Sequence, residues 1–180
     1  DGFSAYDVVN SFSENDLANI IWTYGDEPKS RKIASEIVSI RDISPIKTTT
    51  QLADVIKKAI GVSSINKKHT KIDTATKTFQ AIRIFVNDEL KEINEALDQL
   101  LQILNNGARV ATISFHSLED KIVKNWFKSR KKCISSLNKS VIRATISEVR
   151  KNPRSRSAIL RAFVYTGNGS WGLEHGDGIE

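Results

Sequence analysis

A change of hydrophobic period near the middle of the chain constrains the fold more than any other feature. Over residues 75–104 apolar side chains recur at spacings of three and four, which predicts one long helix with a single apolar stripe. Residues 105–107 (NNG) are a stop signal, and residues 109–115 (RVATISF) predict a short buried strand. A helix is predicted over residues 118–127. This order is typical of an α/β sheet, in which ligands lie beyond the C-terminal ends of the strands.

The first seventy residues predict an all-helical domain. Residues 1–3 carry neither a cap nor a strand signal, and residues 62–72 are polar and basic, as expected of a connector. Capping residues precede and follow three amphipathic segments, and Pro28 falls in the first turn of the second. The expected caps and ends are Ser13, Gly25, Asp26, Thr50 and Gly61. We therefore place a helical domain at residues 1–72.

The second half of the chain predicts the rest of a sheet. Residues 141–146 and 159–165 are candidate strands, which gives a sheet-containing part over residues 73–165. Residues 166–180 contain five glycines and no periodicity, so we expect a disordered tail there.

Charge is distributed unevenly along the chain. Residues 1–100 hold 13 Lys and Arg against 15 Asp and Glu, whereas residues 101–165 hold 14 against 3. The strong positive charge of residues 101–165 favours a polyanionic partner, of which nucleic acid is the commonest. The alternative is a basic surface that only keeps the chain in solution.

Several classes of protein are excluded or disfavoured. No apolar run is long enough to span a bilayer, and no signal peptide is recognisable at the start, so no membrane partner is expected. The single cysteine, Cys133, has no disulfide partner within the chain, which favours a cytoplasmic location. Zinc spacings, nucleophile elbows and glycine-rich cofactor turns are missing from the sequence, so neither a metal site nor a cofactor-binding residue is predicted.

Polar residues cluster directly after the predicted strand. Ser117 and Asp120 have the spacing of a capping box, which gives them a structural explanation. His116 is not needed for such a cap and lies where a ligand is expected, so it is a candidate for substrate contact. Lys121 and Lys124 follow on the same helix and are candidates for RNA phosphates.

Two further clusters are candidate binding sites. Gln80, Arg83 and Asn87 share one helix face, either as the wall of a pocket whose amides suit a base edge or as a network that holds the helix. Arg154 and Arg156, in the segment NPRSRS, suit phosphate oxygens or form a structural clamp.

Three ordered segments carry a family resemblance. TFQAIRIFVNDEL (78–90), ISFHSLEDKIVKNWF (113–127) and NPRSRSA (152–158) strongly resemble the 16S rRNA (cytosine-N4)-methyltransferase family. Stretches within residues 24–56 look like that family's helical insert. The resemblance covers about residues 2–162, and residues beyond it do not look like the family.

The resemblance implies a class I methyltransferase fold, Rossmann-like, with an all-α insert, of which this chain is the C-terminal part. It implies S-adenosylmethionine as cosubstrate, and places the family's cofactor motifs upstream of residue 1, so that this chain alone is not expected to bind the donor. The implied reaction is methylation of the exocyclic N4 of a cytidine in small-subunit ribosomal RNA. Asn87, His116 and Ser117 are expected near the base. A truncated, inactive RNA-binding remnant is the alternative, and a homodimer is a further candidate assembly.

Overall fold

The structure, a computed structural model, describes residues 2–61 and 75–167. The chain forms two compact units, Asp1–Glu89 and Leu90–Glu180, and each is treated by itself below. The connector expected at residues 62–72 and nearly all of the expected tail lie outside the described residues. Among the residues described, no helix combines the length and the apolar character needed to cross a bilayer.

The described part of the first unit is entirely helical. Its core is built from isoleucine and leucine side chains that are fully buried, including Leu17, Ile21, Ile33, Ile37 and Ile56. Their spacing along each helix places them on one stripe, so five short amphipathic helices close around one core. The helices are α1 Ala5–Ser11, α2 Glu14–Gly25, α3 Ser30–Arg41, α4 Thr49–Ile60 and α5 Thr76–Val86.

Capping side chains set the ends of these helices, at partly different places from those predicted. Ser4 and Asp7 form a capping box that begins α1, a helix that the sequence analysis missed. Thr48 caps α4 with Gln51, so the predicted cap at Thr50 was wrong by two residues. Asp26 does not begin a helix. It ends α2 in the left-handed region, with φ 49°.

Gly25 ends α2 for a different reason from the one expected. The left-handed position is Asp26, whereas Gly25 is required by packing. A Cβ at Gly25 would lie 2.6 Å from the carbonyl oxygen of Lys77 and 3.2 Å from Cβ of Ala81. Helix α5 therefore approaches α2 more closely than any side chain at residue 25 would allow.

The long helix predicted over residues 75–104 is broken. Helix α5 ends at its C-cap Asn87, and Asp88 adopts φ 49° before a new helix begins. Short polar side chains tolerate this left-handed conformation, which an otherwise continuous apolar stripe conceals in the sequence. The boundary between the two compact units falls at the same place.

The second unit combines helices with a small antiparallel sheet. The elements are α6 Glu89–Ile103, β1 Arg109–Ser114, α7 Ser117–Ser129, β2 Ile134–Ser136, β3 Ile142–Arg143, α8 Ile146–Lys151, a 3-10 helix Pro153–Ser157 and β4 Ile159–Tyr165. The central strand β4 pairs with the three other described strands, in the order β1-β4-β2, with β3 also on β4.

One helix-covered face of this sheet carries the second core. Phe163 of β4 is fully buried, with its ring centroid 4.5 Å from Phe127 and 5.5 Å from Trp126. The predicted strands at residues 109–115 and 159–165 are confirmed, and that at 141–146 shrinks to two residues. However, β1 is not the fully buried strand that was predicted: Ser114 is buried and Val110 and Thr112 are half-buried, but Ile113 is 58% exposed.

Candidate functional site

The turn between β1 and α7 is closed by a histidine. His116 is the N-cap of α7, and its Nδ1 accepts a hydrogen bond from the backbone N–H of Glu119 at 3.4 Å. The predicted cap by Ser117 and Asp120 is wrong, because Ser117 is the first helical residue. The side chain of His116 is nevertheless at the end of β1, as predicted, and it is largely buried.

Glu119 completes this cap from the other side. Its Oε2 accepts hydrogen bonds from the backbone N–H of Phe115 at 2.6 Å and of His116 at 3.2 Å. Its Oε1 lies 3.2 Å from Nε2 of His116, although the two atoms are not aligned for a hydrogen bond. Burial raises the pKa of Glu119, but the imidazole of His116 and the two N–H donors outweigh it and hold the pKa below its ordinary value. The turn is therefore held by an ionised carboxylate.

Asp120 ties the start of α7 to the central strand. Arg161 of β4 donates Nε to one oxygen at 2.7 Å and a terminal nitrogen to the other at 2.9 Å. This bidentate hydrogen bonding lowers the pKa of Asp120, against the opposing effect of burial, and the charges of Lys124 and Arg143 lower it further. Asp120 is thus committed to structure, and cationic groups surround it.

The sheet register brings several basic residues of this unit to one end of the sheet. Ile159, the first residue of β4, pairs with Ser114 on one side and with Arg143 on the other. The turn after β1 and the 3-10 helix before β4 therefore lie at the same end of the sheet. Arg154 and Arg156 are exposed on that 3-10 helix.

The 3-10 helix is itself firmly held. Oδ1 of Asn152 accepts from the backbone N–H of Arg154 at 3.2 Å, and the buried hydroxyl of Ser155 donates to the carbonyl of Asn152 at 2.8 Å. The alternation of buried serine and exposed arginine explains the interleaved pattern RSR. Two guanidinium groups are presented to solvent from a fixed turn, a suitable arrangement for an anionic ligand.

In the first unit, the predicted cluster on α5 forms a hydrogen-bonded network. Arg83 makes a bidentate ion pair with Glu89, at 2.7 Å and 3.0 Å. Nδ2 of Asn87 donates to Oε1 of the same carboxylate at 3.2 Å. Gln80 donates to the carbonyl oxygen of Tyr24 at 3.3 Å. Glu89 thus orients both Arg83 and Asn87, which favours a positioning role for Arg83.

A cavity lies beside this network. It has a volume of about 420 Å³ and is open on one side. Its described lining is Ala53, Ala75, Thr76, Phe79, Gln80 and Arg83. Thr76, Gln80 and Arg83 supply the polar part of a mostly apolar wall, whereas Asn87, the other amide of the predicted pocket, is not in the described lining.

The structure sorts the predicted site residues into two groups. Gln80, Arg83 and Asn87 belong to the first unit. The second unit holds His116, Ser117, Lys121, Lys124, Arg154 and Arg156. The sequence analysis missed Glu89 as the common partner of Arg83 and Asn87, and it missed Arg161. A glutamate three residues after His116 was the available signal for the correct cap.

Comparisons with known proteins agree with the resemblance seen in the sequence. The profile described as the MraW methylase family matches residues 1–165. "Ribosomal RNA small subunit methyltransferase H" of Wolbachia pipientis wMel is 47% identical over 164 residues, covering 89% of this chain and 51% of the relative. The protein of the same name from Coprothermobacter proteolyticus is 43% identical, covering 89% and 52%. That from Orientia tsutsugamushi strain Boryong is 45% identical, covering 91% and 58%. The chain spans about half the length of these relatives.

Proposed function

We propose, since the chain belongs to the MraW methylase family, that it serves in methyl transfer to the exocyclic N4 of a cytidine in small-subunit ribosomal RNA. The family match over residues 1–165 is the observation that carries this proposal. The relatives' printed names support ribosomal RNA as the substrate. A ribosomal substrate places the reaction in the cytoplasm.

We further propose a class I methyltransferase architecture with a helical insert. In this proposal residues 1–72 are the insert, which contributes to RNA recognition, and residues 73–165 belong to the methyltransferase domain. The all-helical described part of the first unit and the mixed helix–sheet second unit support it. Assembly as a homodimer stays a prediction.

S-adenosylmethionine is the methyl donor that the family implies. A cradle for its nucleoside requires close approach of backbone, usually through glycines in a strand-to-helix turn. The described turn after β1 carries no glycine, and the cap formed by His116 and Glu119 closes it. This turn does not fit the donor, so we assign it no described residue.

The proposed role of Asn87 follows from its orientation. The N4 amine of cytosine is a poor nucleophile because its lone pair is delocalised into the ring, and an acceptor for an N4 hydrogen helps to localise it. Glu89 takes a hydrogen bond from Nδ2 of Asn87, which leaves Oδ1 as the accepting atom. Asn87 is therefore the proposed acceptor, with Arg83 and Gln80 holding the surrounding wall.

The second unit supplies contacts to the RNA. His116 and Ser117 lie directly after β1, in the segment that resembles the family, and are the proposed contacts to the target nucleotide. Lys121, Lys124 and the arginines of the 3-10 helix are the proposed phosphate contacts. The target base must be unpaired or flipped for its amine to be reached.

A second candidate function is RNA binding without transfer. The exposed cations at one end of the sheet favour it, because they require no methyl donor to bind an RNA strand. Only the first function transfers the methyl group of S-adenosylmethionine to the RNA, so a labelled methyl group distinguishes the two.

The test is transfer of radiolabelled methyl from S-adenosylmethionine to small ribosomal subunits that lack the N4 mark, with a whole-length relative as positive control. Label on a cytidine N4 supports the proposal. Because this chain alone is not expected to bind the donor, the deciding assay joins it to the half of a relative that it does not match, and no label from that protein rejects transfer in favour of RNA binding alone. In an active protein, His116→Ala and Asn87→Ala each lower kcat by on the order of 100-fold. Asn94→Ala, on the exposed face of α6, is the matched control. Unchanged kcat in both test variants rejects the assigned residues.

A further inference from the structure

A long stretch of the second unit contains no acidic residue at all. Residues 121–147 hold eight Lys and Arg and no Asp or Glu. This stretch includes most of α7 and both short strands, so the bias belongs to a continuous piece of folded surface. It extends well beyond the two lysines assigned to the candidate site.

The lysines of α7 form one line. Lys121, Lys124 and Lys128 are spaced by three and four residues, which places them on one helix face, and all three are exposed. Lys131 and Lys132 continue the line in the turn after the helix. At about 1.5 Å per residue, the line is roughly 15 Å long. We call these five residues the lysine track.

The track leads away from the candidate site. Helix α7 begins at His116, beside the end of the sheet where Ser114 pairs with Ile159. The chain then reaches β2, whose first residue pairs with Tyr165 at the opposite end of β4. A polyanion lying on the track therefore runs from the candidate site along the length of the sheet.

Among the described residues, the acidic groups near the track are bonded elsewhere and form no ion pair with its lysines. Glu119 is bonded to two backbone N–H groups, and Asp120 is bonded to Arg161. Asp98 is bonded to Arg130 and to the indole of Trp126, on the inner side of the helix. The charges of the track consequently face solvent, where counterions or a polyanion balance them.

Base stacking does not contribute on this helix. Trp126 is 5% exposed, and Phe127 packs on Phe163 in the core. The exposed face is therefore made of flexible ammonium groups, which contact phosphates as point charges without reading sequence.

We propose that the lysine track binds the phosphate backbone of the RNA strand that leaves the target nucleotide. This inference rests on the proposed function and adds to it a second binding surface, which contacts the RNA beyond the target nucleotide. RNA is favoured over an anionic membrane because the exposed face carries no apolar side chain that would enter a bilayer: besides the lysines it presents Asn125 and Ser129.

The experiment measures RNA affinity of the full chain against salt concentration. The ligand is a small-subunit rRNA fragment that contains the target cytidine, and a second fragment is cut to that cytidine and its immediate neighbours. The test variant is Lys124→Gln, Lys128→Gln and Lys131→Gln combined. The control is Lys91→Gln, an exposed helical lysine of the same unit that pairs with Glu95.

For the long fragment, each lost phosphate contact reduces the slope of log affinity against log salt by about 0.7, so the triple variant loses about 2. Between 50 and 200 mM salt the unaltered chain then loses about 20-fold more affinity than the triple variant. The Lys91 control keeps the full slope, a triple Lys→Arg variant retains it, and the short fragment shows little difference among variants.

If the slope of log affinity against log salt is the same for the triple variant and the Lys91 control, the proposal that the lysine track binds RNA is overturned. Tighter binding of the unaltered chain to phosphatidylserine vesicles than to RNA also overturns it. Absence of RNA binding by the unaltered chain overturns the track together with the RNA partner. If the salt dependence confirms that the lysine track binds RNA but the labelling assay shows no methyl transfer, only the proposed methyl transfer is rejected.

Discussion

The ion pair between Asp120 and Arg161 allows the sharpest test of how the candidate site is held. It joins the first turn of α7 to the central strand through two hydrogen bonds of 2.7 Å and 2.9 Å, with side chains that are 17% and 24% exposed. Exposed pairs contribute about 0.5 kcal/mol, and breaking a fully buried pair costs about 3–5 kcal/mol. With this intermediate burial, Asp120→Asn should lower the free energy of unfolding by about 2 kcal/mol, or the Tm of the second unit by roughly 10 °C.

A double-mutant cycle isolates the pair. Asp120→Asn, Arg161→Met and the double variant are unfolded in urea, with the fluorescence of the buried Trp126 as the signal for the second unit. Methionine preserves the packing of the arginine stem. A coupling free energy of about 1–2 kcal/mol is expected. A coupling below about 0.3 kcal/mol would refute the argument that this pair fixes the turn.

The same pair should respond to acid in a defined direction. Arg161 lowers the folded pKa of Asp120 below its ordinary value of 3.8, so the folded state favours the ionised carboxylate. The stabilisation is therefore complete above pH 3.8 and is lost as the pH falls through the lower folded pKa. The difference in unfolding free energy between the unaltered chain and Asp120→Asn should stay constant from neutral pH to about pH 4 and shrink below it. A difference unchanged at lower pH contradicts this.

Three further substitutions test the packing and caps. Gly25→Ala should destabilise the first unit by about 1–3 kcal/mol in urea unfolding, because the added Cβ meets the carbonyl of Lys77 at 2.6 Å; an unchanged midpoint would show that the helices separate freely. Phe163→Ala should cost roughly 3–5 kcal/mol by removing the centre of the second core, and a cost under 1 kcal/mol by calorimetry would contradict that placement. Thr48→Ala should lower stability by about 1 kcal/mol through loss of the cap on α4, whereas Thr50→Ala, the matched control, should change it little.

The sequence predicted the elements of this fold better than their ends. The helical period of 3.6 residues and the β-branched apolar runs both depend on packing against a core, and they correctly located α2, α4, β1 and β4. The break at Asn87 and Asp88 was missed because apolar spacing continues across it, while the determining feature is one residue with positive φ. The hydrophobic period of a segment reports which of its faces is buried. It does not reveal a change of backbone direction after which the same face is still buried.

The sequence predicted where His116 lies along the fold but not which groups it is bonded to. The family resemblance and the strand's end located His116, and the basic bias located the arginines of the 3-10 helix. Glu89 and Arg161 were missed because their partners become neighbours only through the left-handed residue at 88 and the pairing of β1 with β4. Such contacts are long-range or depend on a turn, so local spacing does not reveal them.

The cap on α7 also fixes the tautomer of His116. Since Nδ1 accepts the backbone N–H of Glu119, an imidazole that carries one proton carries it on Nε2. Nε2 is then a hydrogen-bond donor, and it is buried 3.2 Å from Oε1 of Glu119. It offers no acceptor for the N4 hydrogens, which is why the proposed function gives that role to Asn87 instead. Nitrogen-15 NMR of the singly protonated imidazole should show the Nε2-protonated tautomer, and an Nδ1-protonated ring would contradict the cap.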